Sequence, residues 1–151
     1  MTFTPWRSLG SKTGFTERSL AETLDGGQSF RWNQTAAGTM RGVWARNCVE
    51  LRLHAGRLEW RSPEQAPVSK DKLAPYLGID ASYDEACDAL PWRSDPVLAA
   101  AMQRFSGLRL LRQPLGETLF GFLLSAVKSI PQIKEGCERA ADTFGEEIVP
   151  G

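Results

Sequence analysis

A chain of 151 residues has room for one domain, or two small ones, around a buried core. Its 42% apolar and 24% charged residues are those of a globular protein, and no run of about 18 apolar residues is present to cross a bilayer. A formal net charge of zero excludes an overall positive field, so any nucleic-acid contact must use a local basic face.

The zero hides an asymmetry. Residues 1–70 carry ten Lys/Arg against six Asp/Glu, and residues 71–151 carry eight against twelve. Arg31, Arg41, Arg46, Arg52, Arg57 and Arg61 are the candidates for a basic face; the alternative is that they are solvated outer faces of strands. The opening stretch MTFTPWRSLG lacks the apolar segment of a signal peptide, which makes an intracellular location, cytoplasmic or at a bacterial nucleoid, the expectation. Cys48, Cys87 and Cys137 are widely spaced with no CxxC pair, as for reduced, buried thiols, and no metal or cofactor is implied.

In chain order, a short helix is expected over 17–25, followed by a small antiparallel sheet. Phe30 and Trp32 alternate with Arg31 and Asn33, so both aromatics are expected in the sheet core. Residues 38–46 supply another strand, where Gly42 suggests a bulge. Val49, Leu51 and Leu53, then Leu58 and Trp60, alternate with charged residues, and His54-Ala-Gly-Arg57 between them has a glycine placed for a tight hairpin. His54, the only histidine, falls on the polar face without an acidic neighbour and is a poor general base. Residues 62–70, SPEQAPVSK, are the linker candidate.

Beyond them the period becomes helical. Short helices are expected over 71–77 and 82–90, and Asp95-Pro96 is an N-cap followed by a first-turn proline. Leu98, Ala101, Met102 and Phe105 share one stripe, as do Phe120, Leu123, Leu124 and Val127. After a turn at Lys128-Ser129-Ile130, Pro131 opens a last helix with an apolar face of Ile133, Cys137, Ala140 and Phe144, ended by Gly145. Sheet first and helices after make the class α+β. So much apolar surface over 98–144 exceeds what three helices can cover, and a large exposed apolar patch is expected there.

The stretches TLDGGQSFRW, GVW, DKLAPYLGID and FSGLRLLRQPLGETLFGFLLSAVKSI, in that order, resemble the 8-oxoguanine DNA glycosylase family over about residues 13–150. The resemblance implies an antiparallel sheet domain similar to the TATA-binding-protein fold over 1–90. It implies the beginning of an all-helical glycosylase domain, cut short, over 91–151. It further implies base-excision repair by a DNA glycosylase with AP lyase activity, whose partner is double-stranded DNA containing an oxidised purine. In that family a glycine before the glutamine aims its carbonyl at N7 of the flipped base, protonated in 8-oxoguanine and bare in guanine. Here that glycine is Gly27. The simpler role of Gly26-Gly27 is a turn into the strand, and both can hold.

The turn departs from the family. Eukaryotic members place three asparagines where this chain has Val127, Lys128 and Ser129, and an arginine where it has Gln132. Valine cannot read a base edge, so Lys128 and Ser129 are candidates for phosphate contact and Gln132 for a base contact. The family's hairpin, Schiff-base lysine and aspartate have no counterpart before Gly151, so no catalytic residue is expected in this chain and a further glycosylase half is the expected partner. Lys12, Lys70, Lys72 and Lys134 lie in polar stretches and Lys128 in a turn, none in the setting of a nucleophile. The alternatives are a non-catalytic module binding damaged DNA or a protein, or part of an alkylpurine glycosylase.

Overall fold

Residues 40–61 fold as their period-two pattern requires. β3 (Met40–Trp44), β4 (Asn47–His54) and β5 (Arg57–Arg61) form two successive hairpins in unbroken antiparallel register. The computed structural model describes residues 1–10, 13–79 and 82–149, so Lys12, Pro150 and Gly151 lie outside the described residues. The hairpin at Ala55-Gly56 is tight: both residues take positive φ, 48° and 72°, the pattern whose twist matches that of the strands. β2 (Trp32–Gln34) adds to the free side of β3, and β1 (Arg7–Ser8) to that of β5, giving the order β1-β5-β4-β3-β2. The two residues of β1 are too few to show a period, and sequence reading placed a helix first instead.

One sheet face is apolar. Trp32, Val49, Leu51, Leu58 and Trp60 meet Leu20 and Leu24 of α1 (Glu17–Asp25) and Leu73, Tyr76 and Leu77 in and after α2 (Lys70–Tyr76). Trp44 stacks on Tyr76 at 4.2 Å between ring centres, and the Trp32 indole N–H donates to the Tyr76 hydroxyl at 3.0 Å. Phe30 precedes the strand and, unlike Trp32, leaves the sheet core: its ring lies against Gly121 of α5 (Leu115–Ser125).

Gly42 is not a bulge. It pairs regularly with Trp32 on one side and Val49 on the other. A Cβ at residue 42 would sit 2.1 Å from Cδ2 of the Trp32 ring, so the missing side chain makes room for the indole. Since Trp32 is fully buried and bonded to Tyr76, the ring cannot yield. Gly42→Ala is therefore expected to cost about 2–3 kcal/mol by overpacking, read as a lower denaturation midpoint with a changed near-UV spectrum.

The opposite sheet face pairs Arg41, Arg52 and Arg61, three of the six arginines that sequence reading offered as a basic face, with carboxylates. Glu50 receives Arg41 on Oε1 (Nε at 2.9 Å) and Arg61 on Oε2 (Nε at 2.8 Å). Arg52 pairs with Glu59 at 2.7 Å. Phe3 and Trp6 lie over these guanidiniums, with Trp6 4.1 Å from Arg52 and 4.5 Å from Arg61. Arg46 pairs with Glu146. Arg41, Arg46, Arg52 and Arg61 thus form ion pairs, while Arg57 is exposed at the start of β5 and Arg31 is half-buried.

The segment 62–70 is no linker either. Ser62, Pro63 and Val68 are buried, the Val68 amide donates to Ser62 Oγ at 3.1 Å, and Phe3 bridges to Pro63. The helices follow as the sequence indicates: α3 (Tyr83–Asp88), α4 (Pro96–Arg104), α5 and α6 (Ile130–Phe144). Asp95 caps α4, accepting from the amides of Val97 and Leu98. On α6, Ile133 and Cys137 are buried and Ala140 half-buried, but Phe144, the last residue of the helix, is exposed. Leu110, Leu115, Phe122, Leu123 and Val127 are also exposed, in line with the apolar surface expected over 98–144. Among the described residues no helix is long and apolar enough to cross a membrane.

Candidate functional site

The end of α1 sets the site's geometry. Thr16 and Ser19 close a reciprocal cap at its start, with amide-to-hydroxyl bonds of 2.9 and 3.1 Å. At its end the Gly26 amide donates to Glu22 O at 3.0 Å and terminates the helix. Gly27 then takes φ +94°, a conformation that side chains resist, and a Cβ there would stand 3.3 Å from Cδ1 of Ile130. No donor among the described residues bonds its carbonyl, and the residue is half-exposed. The loop therefore presents a main-chain oxygen that sheet pairing does not consume.

Gln28 explains why the loop holds its shape. Its amide nitrogen donates to Thr23 O and Arg109 O, and its oxygen accepts the Leu111 amide, all at 2.9 Å. In return the Gln113 side chain donates to the backbone oxygen of residue 28. The stretch GLRLLRQ is thus strapped along the loop. Arg109 extends the strap, donating to Gly78 O at 3.0 Å and Thr13 O at 2.7 Å while lying 4.2 Å from the centre of the Tyr83 ring. Burial lowers its pKa, opposed by Tyr83, Asp84 and Cys87. Sequence reading missed Gln28, Arg109 and Gln113 as parts of the site, although all three lie in the stretches that carry the family resemblance.

The α5–α6 turn arrives beside this loop. Val127, Lys128 and Ser129 are exposed there, and Ile130, the first residue of α6, reaches Gly27. Gln132 folds back on the turn: its oxygen accepts the Ser129 amide at 3.0 Å and the Ser129 hydroxyl at 3.2 Å. One turn beyond Ile130, the Lys134 ammonium pairs with Asp25 at 2.6 Å and donates to Trp32 O at 2.9 Å. Lys134 is therefore embedded beside a carboxylate, which its polar sequence neighbourhood did not reveal. Bonded on two sides, it has the surroundings of an anchor rather than of an attacking amine.

Behind the loop lies a cavity of about 220 Å³, lined by Phe30, Arg31, Gln113, Glu117, Phe120 and Cys137. Burial raises the Cys137 thiol, against the lowering effect of Arg31, and raises Cys48 likewise. Both thiols are thus held neutral, which suits packing and not nucleophilic attack.

The family model for the 8-oxoguanine DNA glycosylase N-terminal domain matches residues 13–119. The chain belongs to the 8-oxoguanine DNA glycosylase family. The N-glycosylase/DNA lyase OGG1 of Arabidopsis thaliana is 30% identical over 129 residues, covering 81% of this chain and 34% of that protein. The chain thus spans about a third of the length of that curated relative. A Clostridium acetobutylicum 8-oxoguanine glycosylase/lyase, solved with double-stranded DNA carrying cytosine opposite 8-oxoG, superposes with TM-score 0.72 at 26% identity, over 84% of this chain and 43% of that one. MBOgg1, solved with a low-affinity DNA ligand, gives TM-score 0.72 at 28% identity, over 95% and 50%. Within the family, the mixed α+β architecture of antiparallel sheet and following helices is the N-terminal fold.

Proposed function

We propose that this chain forms the lesion-reading part of a base-excision repair glycosylase with lyase activity, acting on 8-oxoguanine in duplex DNA. One observation carries the reading: Gly27, a half-exposed residue, has a carbonyl that no donor among the described residues bonds, at a backbone angle natural to glycine, against the N-terminus of α6. That oxygen accepts the N7–H of a flipped 8-oxoguanine and repels the bare N7 of guanine. Lys128 and Ser129 approach phosphate from the exposed turn, and Gln132 keeps an amide nitrogen without a hydrogen-bond partner among the described residues, able to donate to a base edge.

The bond-breaking groups belong to the family's helical domain: attack on C1′ of the sugar by a lysine, then β-elimination. The division 1–90 for the sheet domain and 91–151 for the start of the helical one belongs to this reading. The exposed apolar side chains of α4 and α5 form the face on which the rest of that domain seats.

Binding of the chain to matched duplexes with 8-oxoguanine or guanine at one position tests the proposal. A preference for the lesion of about tenfold or more is expected, because one such polar difference is worth about 1–3 kcal/mol. Gly27→Ala should abolish it, since the new Cβ meets Ile130 and φ +94° becomes strained. Borohydride should trap no adduct with this chain alone. Equal affinity for the two duplexes, or a trapped adduct, would overturn the reading.

A further inference from the structure

Asp25 breaks a local rule. It is the last residue of α1, where the helix dipole disfavours a negative charge, and the last turn holds no basic residue to offset it. The compensating cation comes from α6, 102 residues along the chain from Trp32. Lys134 Nζ lies 2.6 Å from Asp25 Oδ1, with 21% of the lysine side chain and 40% of the aspartate exposed. The same nitrogen bonds the carbonyl of Trp32 in β2, the edge strand of the sheet. One ammonium therefore ties down residues 25 and 32, the two ends of the loop carrying Gly27 to Arg31.

The middle of that loop is held by the same helix. Ile130, four residues before Lys134 and so on the same helical face, abuts Gly27. The remaining fastening, through Gln28, ties the loop to residues 109–113 and not to α6. We infer that Lys134 is a positioning residue for lesion discrimination: its bonds to Asp25 and Trp32 set the distance of the Gly27 carbonyl from α6 and hence its aim at the base. This rests on the reading of Gly27 given above. Its role is not charge attraction to DNA, because the ammonium is directed inward to two protein oxygens.

The test combines a measurement without DNA and one with it, on the full chain as Lys134→Gln, Lys134→Arg and Asp25→Asn. Hydrogen exchange should quicken over residues 26–32 in Lys134→Gln and Asp25→Asn, with the hairpins 40–61 unchanged, and return towards wild type in Lys134→Arg. The ratio of affinities for 8-oxoguanine and guanine duplexes should fall roughly tenfold in Lys134→Gln, recover in part in Lys134→Arg, and leave binding to the guanine duplex within about twofold. A purely structural role would lower the denaturation midpoint without moving that ratio. Unchanged exchange over 26–32, or an unchanged ratio where the wild type discriminates, overturns the inference. A wild type that does not discriminate, with exchange responding as described, overturns the reading of Gly27 and confines Lys134 to fastening the loop.

Discussion

Gln28→Ala is expected to destabilise the protein by about 3 kcal/mol and to loosen residues 109–113 from the loop at Gly27. Three side-chain hydrogen bonds of 2.9 Å disappear together. Each contributes about 1 kcal/mol net, and the cost rises where a partner stays buried without a substitute. Leu111 is buried, so its amide is such a partner, whereas the Thr23 and Arg109 carbonyls regain water as the segment lifts. Gln28→Glu, of nearly the same size, should cost at least as much, because a carboxylate then faces two carbonyls. Urea denaturation measures the loss, and limited proteolysis should find new cleavage within 105–113. A loss under about 1 kcal/mol for both variants would mean that water replaces the glutamine.

Glu50→Ala is the second large effect, again about 3 kcal/mol. The carboxylate is 2% exposed in its side chain and holds two arginines, one on each oxygen. Removing one member of a buried ion pair typically costs about 3–5 kcal/mol because the charge left behind is uncompensated. Arg41 and Arg61 are each partly exposed and regain some hydration, which places the value at the low end. The denaturation midpoint should drop by about 10 °C. Two like charges are then left on β3 and β5, on either side of β4, so added salt should recover part of the loss. A salt-independent loss would assign the effect to the cavity alone.

How much of this was legible beforehand depends on the range of each interaction. The hairpin at 54–57, the Asp95-Pro96 helix start and the change from period two to helical period all rest on residues within a few positions of each other, and the structure has them. Gly42 misled because a glycine in a strand signals a bulge unless one knows which ring crosses it, and Trp32 lies ten residues away on another strand. Arg41, Arg52 and Arg61 looked free because their carboxylates sit on neighbouring strands. Residues 62–70 have linker composition, yet their few apolar groups are the ones that are buried.

The site divides the same way. Gly27 was singled out because the residues flanking it carry the family resemblance. Gln28 was not, since its partners Arg109 and Leu111 lie 81 and 83 residues away. Lys134 was read by its polar neighbours in sequence, whereas Asp25 and Trp32 decide its setting.

The strap through Gln28 has a consequence for how the molecule assembles. Contacts closed over more than eighty residues form slowly compared with hairpins of two-residue loops. The sheet therefore has the means to collapse early, while the loop at Gly27 gains its final shape only once Arg109 to Gln113 have been laid across it. On a ribosome, that means the loop is fastened only after this stretch has emerged, later than the hairpins of the sheet.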